Sequence, residues 1–251
     1  MQYGSRFAAD AKIIQIDIEE SELGHNRDIT LGIVGDAKQV LEQFVSEAEG
    51  RAKEFSSDLE SSWISQLRSD NERRALQIAP LLNSDQVPIH PLRLCKEIRE
   101  FLDRDAIVAV DGNEILHFGR QSIPSYFPGH RLNSGVTGTM GVGLPYGIGA
   151  KVAKPDSQVL VLHGDGSMGM NAMELDTAVR HNLPVVTVIS NNAGWTARTP
   201  EKRKPGRELG FTAFHRISEA LDGYGEEIED PEEIKPALDR AFSSGKPAVI
   251  N

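Results

Sequence analysis

The sequence has little cysteine and no long apolar run, and each absence excludes a class of protein. Its single cysteine, Cys95, can form neither a disulfide framework nor a cysteine-rich metal site. No apolar run reaches the length of a membrane span, and residues 1–10 lack the apolar core of a signal peptide. We therefore expect a cytoplasmic protein that does not contact membranes.

An excess of basic residues is also missing. The chain has 27 Lys and Arg against 37 Asp and Glu, which gives a formal net charge of -10. Such a chain is a poor candidate for general nucleic-acid binding, because that binding depends on cations that neutralise phosphates. An anionic cofactor is still compatible with the charge, since a bound Mg²⁺ would dominate the local field.

The pattern of apolar segments predicts an α/β protein. From residue 88 to 251, short apolar runs alternate with amphipathic segments of helical length, which is typical of a parallel sheet flanked by helices. Residues 1–48 hold two predicted strands and one helix, too few to bury a core alone, and we interpret them as the C-terminal remnant of a Rossmann-like central domain. Residues 49–87 predict a helical linker. We expect the chain to be truncated at both ends, since it starts inside a domain and its last predicted strand stops mid-run.

The most informative motif is Gly-Asp-Gly-Ser at residues 164–167, together with the pair Asn191 and Asn192. Asp165 follows one predicted strand and Asn192 follows the next. Because parallel strands end at the same edge of a sheet, these two side chains should lie where open α/β sheets bind ligands. Carboxylate and carboxamide oxygens suit Mg²⁺, which commonly bridges protein and phosphate oxygens. The pattern predicts a metal–diphosphate site.

Two other interpretations of the glycine-rich motifs are open at this point. The Gly-Asp-Gly-Ser motif by itself also fits a strand-to-helix turn in which Asp165 only caps a helix. A nicotinamide enzyme would need a Gly-x-Gly-x-x-Gly turn after its first strand, and the glycines from Gly138 to Gly143 have a different spacing.

Taken together, the two motifs resemble the signature of thiamine-diphosphate-dependent enzymes, in the branch of acetolactate synthase, benzaldehyde lyase and 2-hydroxyacyl-CoA lyase. Residues 138–145 (GTMGVGLP) are similar to the segment that grips the cofactor rings, and residues 16–19 and 33–37 resemble the end of the central domain. The resemblance covers nearly the whole chain. It implies thiamine diphosphate and Mg²⁺ as cofactors, and a 2-keto acid or 2-hydroxyacyl-CoA substrate in which a carbon–carbon bond next to a carbonyl is cleaved or formed.

The resemblance also implies roles for individual residues. Asp165 and Asn192 would bind Mg²⁺ through their side chains, and Gly194 through its carbonyl. Five residues would contact the cofactor: Asn113, Gly166 and Ser167 at the diphosphate, Met140 as an apolar wedge beneath the bent cofactor, and the carbonyl of Gly138 at the 4′-amino group. The alternative for Met140 is a core methionine, and its flanking glycines favour the wedge.

One part of the family's machinery has no counterpart in the sequence. The activating glutamate of the family lies on a pyrimidine-binding domain that precedes the central domain, so no catalytic residue is assigned here. Because the family builds each active site between two chains, the resemblance implies a homo-oligomer, either a dimer or a tetramer. We expect a fragment of a longer enzyme, or a split-enzyme subunit whose partner supplies the missing domain. A non-catalytic binding or regulatory chain is the competing class.

The segment 195–209 is basic within an acidic chain. Its cationic residues are Arg198, Lys202, Arg203, Lys204 and Arg207. We favour a solvated loop over a contact with an anionic substrate such as the phosphates of coenzyme A. A Gln-Trp pair that is typical of acetolactate synthases in this region is absent, which favours a lyase or another carboligase.

Two residues after Asn113 are weaker candidates for the site. The resemblance places Glu114 nearest to the cofactor, where it would contact substrate, and His117 lies one helical turn beyond Asn113. His163, in the strand before the Gly-Asp-Gly-Ser motif, and His181, at a helix end, are interpreted as structural or exposed.

Overall fold

The computed structural model describes residues 7–8, 10–51, 61–195 and 206–251, and the chain divides into two units, residues 1–70 and 71–251. In the first unit, β1 (Ile14–Asp17) and β2 (Leu31–Val34) form a parallel two-stranded sheet, and α1 (Ala37–Gly50) follows. Asp36 caps α1, because its Oδ1 accepts the Gln39 N–H at 3.0 Å. Among the described residues from 10 to 51, only Val40 is buried, as expected for so few elements.

The division between the units falls within α2 (Ser62–Leu82), and the second unit is built on a six-stranded sheet whose pairings are all parallel. The strand order is β4-β3-β5-β6-β8-β7, which confirms the predicted α/β class. The elements of this unit in chain order are α3 (Pro91–Phe101), β3 (Ile107–Asp111), α4 (Glu114–Ser122), β4 (Arg131–Leu132), α5 (Gly143–Ala153), β5 (Val159–Gly164), α6 (Asp165–Asn171), α7 (Glu174–Arg180), β6 (Val186–Ser190), α8 (Phe214–Ala220), β7 (Tyr224–Glu226), α9 (Ile234–Ser243) and β8 (Ala248–Ile250).

Helices cover both faces of this sheet. Its strands are therefore buried on both sides, which explains why they are continuous apolar runs. Successive residues of β3 and β5 alternate between two buried clusters. Val108 and Leu160 pack on the face of α3, α4 and α9, whereas Ile107 and Val159 pack on the face of α5, α7 and α8. Among the described residues, no helix combines the length and apolar character needed to cross a membrane.

The strand order contains a reversal that positions the site. From β3 the chain moves outward to the edge strand β4, and it then crosses back over β3 to add β5 and β6 on the other side. The reversal lies between β3 and β5. In open α/β sheets, ligands bind outside the carboxyl ends of the strands at such a switch point. The strand order therefore predicts a ligand site next to Asp111, Asp165 and the residues after Ser190.

The structure contains elements that the sequence analysis did not predict. The glycine-rich region enters α5 at Gly143, and α6 begins at Asp165 directly after β5. Glycine is a poor helix former, so local sequence does not indicate α5. Packing explains it: a Cβ on Gly147 would lie 2.4 Å from Val161 Cγ2, so the glycines allow the helix to lie close to the sheet. Strand β7, which pairs with β8, was also not predicted.

The close packing of Gly147 predicts how substitutions in α5 change the free energy of unfolding, and Gly149 in the same helix serves as the control. Gly147→Ala places a methyl group against the strand, and we expect it to lower the free energy of unfolding by about 1–3 kcal/mol. A Cβ on Gly149 meets nothing within 4 Å. Gly149→Ala should therefore stabilise the protein by about 0.5–1 kcal/mol through helix propensity. Urea unfolding of both variants checks the pair, and equal effects would contradict the packing account.

Candidate cofactor and metal site

A cleft of about 370 Å³ opens at the carboxyl ends of β3, β5 and β6. It lies at the switch point of the sheet. The predicted cofactor and metal residues that line it are Asn113, Met140, Asp165, Gly166, Ser167, Asn192 and Gly194, and the weaker candidate Glu114 lines it as well. Gly138 is not among the lining residues. It is exposed, has φ 64° and lies in the segment that leads through Met140 into α5.

Asp165 is the first residue of α6, and its side chain is buried. Burial raises the pKa of Asp165, the backbone N–H groups of Gly166 and Gly194 act against the rise, and the charge of Glu114 adds to it. Oδ2 is buried and has no hydrogen-bond partner among the described residues. A buried carboxylate oxygen without a donor is unfavourable. A cation at this atom would remove that cost.

Asn191 shapes the turn after β6. Its Oδ1 accepts the Ala193 N–H at 3.2 Å, and its Nδ2 donates to the Thr212 carbonyl at 3.2 Å. Ala193 has φ 57°, in the left-handed region that is unfavourable for residues with a Cβ. Asn191 therefore acts on the backbone, where its hydrogen bonds stabilise a strained turn.

Asn192 faces the cleft, and both ends of its carboxamide have partners. Nδ2 donates to Glu114 Oε2 at 2.8 Å, and Oδ1 accepts the Gly194 N–H at 3.1 Å. Because Glu114 accepts from Nδ2, the orientation of the amide is fixed, and Oδ1 keeps a second lone pair for a ligand. The same Glu114 lines the cleft, whereas His117 is exposed and is not among its lining residues.

Asp111 holds the segment in front of α5. It ends β3 and is buried, and its Oδ2 accepts the Gly143 N–H at 2.7 Å. Burial raises the pKa of Asp111, and hydrogen bonds from the amides of Gly143, Gly141, Val142 and Gly112 act in the opposite direction. Its position at the start of α5 also suits a negative charge. This carboxylate therefore links β3 to the backbone that carries Met140.

The hydroxyl group of Ser167 forms hydrogen bonds with other protein atoms. Its Oγ lies 2.9 Å from the carbonyl oxygens of Asp111 and Gly164 and 2.9 Å from His163 Nδ1. Burial lowers the pKa of His163 to about 3, so the imidazole is neutral. Two carbonyl oxygens and one imidazole nitrogen therefore surround the single hydroxyl group at hydrogen-bond distance. His163 is thus structural, as the sequence analysis expected, and the Ser167 hydroxyl is engaged by protein atoms.

Trp195 forms another wall of the cleft. A Cβ on Gly166 would lie 2.9 Å from Trp195 Cε3, so glycine is needed for the indole to pack on this backbone. The backbone N–H of Trp195 donates to the Arg207 carbonyl at 3.0 Å, and Gly194 pairs with Glu208 in an antiparallel bridge. The four other cations of the basic segment lie outside the described residues.

The donor set fits a hard cation. No cluster of three or more His, Cys, Asp or Glu side chains suited to a metal occurs in the described part of the chain. The cleft offers one carboxylate, one carboxamide oxygen and the backbone of Gly194, which is an oxygen-rich set compatible with Mg²⁺ that keeps waters or phosphate oxygens. The unpartnered Oδ2 of Asp165 is the observation that supports the fit.

Two supporting residues were not identified as such from the sequence. Asp111 had a detectable signal, since it is an acidic residue at the end of the buried strand Ile107–Asp111. Trp195 had none, because its partner Gly166 is distant in the chain. Glu114 was a candidate for substrate contact, and the structure shows it hydrogen-bonded to Asn192.

Comparison with known proteins connects this geometry to a family. Residues 116–251 match the C-terminal TPP binding domain of thiamine pyrophosphate enzymes, and residues 1–44 match their central domain. A probable acetolactate synthase of Mycobacterium bovis is 36% identical across 99% of this chain and 45% of its own length. A 2-hydroxyacyl-CoA lyase of Oryza sativa subsp. japonica is 33% identical across 98% of this chain and 45% of its own.

A solved structure shares the fold. The thiamine diphosphate-dependent 4-hydroxybenzoylformate decarboxylase of Rhodococcus jostii RHA1 aligns with a TM-score of 0.61 and 25% identity, over 66% of this chain and 33% of its own. The chain spans less than half the length of the curated relatives named above. The match of the TPP binding domain covers more than half of this chain and includes most of the cleft, and the chain therefore belongs to the thiamine pyrophosphate enzyme family.

Proposed function

We propose that this chain supplies the diphosphate- and Mg²⁺-binding side of a thiamine-diphosphate enzyme site. The observation that carries the proposal is the buried, unpartnered Oδ2 of Asp165, in a cleft that also contains Asn192 and Gly194. Asp165 and Asn192 would hold the metal through side-chain oxygens, and Gly194 through its carbonyl. The metal would be bound by both the carboxylate and the diphosphate and would offset part of their negative charge.

The remaining lining residues would position the cofactor. Asn113 and the backbone of Gly166 and Ser167 would contact the diphosphate, and the Ser167 contact would use its amide, because its hydroxyl is already bonded. Met140 would support the rings, since a thioether adapts to a curved apolar surface. Gly138 would reach the pyrimidine through its carbonyl.

When bound, thiamine diphosphate supplies a nucleophilic carbon that makes or breaks a carbon–carbon bond next to a carbonyl. This chain's residues anchor and orient that group. The substrate class we propose is a 2-keto acid or a 2-hydroxyacyl-CoA, in line with the names of the relatives. We propose a lyase or carboligase, with the activating glutamate supplied by a pyrimidine-binding domain in the same protein or in a partner subunit.

A titration of thiamine diphosphate into a Trp63→Phe variant, in which Trp195 is the remaining tryptophan, tests the proposal through the fluorescence of Trp195. We expect saturable quenching that requires Mg²⁺ and is reversed by a chelator. Pyrophosphate with Mg²⁺ should compete, and thiamine should not. Binding that is independent of Mg²⁺, or competition by thiamine alone, would show that the diphosphate is not held by a metal in this cleft.

The hydrogen bond between Glu114 and Asn192 gives a prediction with a matched pair of variants. Glu114→Ala removes the acceptor that orients the carboxamide, and we expect a loss of about tenfold in Mg²⁺ affinity, because partners of metal ligands typically contribute that much. Glu114→Gln keeps a carbonyl acceptor and should stay within about threefold of the parent. Calorimetric titration of Mg²⁺ with thiamine diphosphate present gives both values. Equal losses in the two variants would mean that the charge of Glu114, and not its hydrogen bond, is responsible.

A further inference from the structure

A second cleft, of about 400 Å³, lies at the opposite end of β3 from the candidate cofactor site. It is enclosed by the end of α3 and the turn that follows, by residues 123–130, and by the first residues of β3 and β4. Its charged lining side chains are Arg99, Asp103, Arg104 and Arg131, and His130 lies beside them. None of these residues belongs to the thiamine diphosphate site.

The central feature of this cleft is Arg131. Its guanidinium is partly buried, and its Nη2 donates to the carbonyl oxygens of Gly119, at 3.3 Å, and Ile123. Within the described residues no carboxylate forms an ion pair with it. Burial lowers the pKa of Arg131, and the like charge of Arg120 lowers it further. A cation that is taken out of water without an opposite charge is unfavourable, so an anion in the cleft would be stabilised.

One neighbouring arginine, Arg104, also lacks an ion pair among the described residues, whereas Arg99 is paired with Glu100. The Arg104 guanidinium lies over the ring of Tyr126, 3.9 Å from its centroid, and forms no ion pair with a described residue. Arg99 contacts Glu100 at 3.4 Å and donates to the Ser122 carbonyl at 3.4 Å. Nδ1 of His130 is buried without a hydrogen-bond partner among the described residues. The cleft therefore contains two guanidinium groups, those of Arg104 and Arg131, that no described carboxylate neutralises.

Charge decides which anion fits. Three arginines and one aspartate line the cleft, and Arg99 is paired with Glu100, so Arg104 and Arg131 are the lining arginines without an ion pair to a described residue. A phosphate group presents oxygens to both guanidinium groups at once, whereas a monocarboxylate has a single charge to share between them. Planar guanidinium groups also bind phosphate oxygens in pairs. The exposed ring of Tyr126 beside the arginines offers an apolar surface for the organic part of a phosphate ester.

We propose that this cleft binds a phosphate group, as the free dianion or as a monoester, with Arg131 as its central contact. The site is separate from the cofactor cleft, since the two lie at opposite ends of β3. It would take a phosphate-bearing ligand that is not the cofactor.

The test is a calorimetric titration of inorganic phosphate into the protein with thiamine diphosphate and Mg²⁺ already saturating. We expect saturable binding that Arg131→Met weakens by at least about tenfold, as for the loss of a charge-assisted hydrogen bond. Arg180→Met, which removes an exposed arginine from α7, is the matched control and should leave binding unchanged. Acetate should bind more weakly than phosphate, and tighter binding of phenyl phosphate than of phosphate would identify an ester as the ligand.

Three outcomes would overturn the proposal: phosphate binding that does not saturate, equal binding by Arg131→Met and the parent protein, or an equal loss in Arg180→Met. Circular dichroism establishes that each variant is folded. If Arg131→Met does not fold, Arg104→Ala replaces it, because that side chain is exposed and its loss should weaken binding by about threefold.

Discussion

Replacing Asp165 with alanine should abolish the Mg²⁺-dependent binding of thiamine diphosphate, with a loss of at least about 100-fold in affinity. The substitution removes the proposed metal ligand, and the remaining oxygens of Asn192 and Gly194 do not carry a full charge. Two metal ligands without a carboxylate compete poorly with water for Mg²⁺, which gives up its hydration shell reluctantly. The measurement is a titration of thiamine diphosphate at fixed Mg²⁺ concentrations.

Two controls separate loss of the metal from loss of the fold. Asp239→Ala removes an exposed carboxylate from α9 and should leave cofactor binding unchanged. Urea unfolding of Asp165→Ala without cofactor shows whether the fold is intact. If the folded variant retains thiamine diphosphate with the parent's dependence on Mg²⁺, Asp165 is not a metal ligand and the proposed function is wrong.

Replacing Asp111 with alanine should lower the free energy of unfolding by about 3–5 kcal/mol, because the amides that donate to its carboxylate lose a buried charged acceptor. The amides concerned are those of Gly141, Val142 and Gly143. They fix the backbone between Met140 and α5. We therefore expect weaker thiamine diphosphate binding in this variant even at temperatures where it is folded.

Hydrogen exchange distinguishes this role from general destabilisation. In Asp111→Ala the amides of residues 141–143 should exchange faster than those of β6, which lies elsewhere in the same sheet. Asp105→Ala, which removes an exposed carboxylate just before β3, should change neither stability nor exchange. Uniform acceleration over the whole sheet would indicate that Asp111 contributes only to overall stability.

Local sequence was sufficient for the position of the candidate site. Each strand of the core is a short apolar run, and a polar residue at its end must lie at the edge of the sheet because backbone direction is common to all parallel strands. Asp165 and Asn192 therefore follow from the runs before them. The resemblance to thiamine-diphosphate enzymes rests on the same residues, and the family was confirmed. Their roles as metal ligands stay predictions.

Local sequence was insufficient where a contact joins distant segments. Glu114 and Asn192 are 78 residues apart, and the bond between their side chains depends on β3 and β6 lying on either side of β5. Helix α5 was missed for a similar reason, because its glycines are unfavourable in an isolated helix and become favourable only against Val161.

The sequence alone determined the α/β class, the family and the ends of the strands at which the cofactor side chains stand. These features depend on residue order within short segments. The tertiary structure decided which groups support them, Asp111 beneath the glycine segment and Glu114 beside Asn192, and it placed Arg131 in a second cleft. Such pairings depend on strand order and on the packing of helices from distant parts of the chain. Local propensities do not encode that arrangement, because many distant partners satisfy the same local pattern.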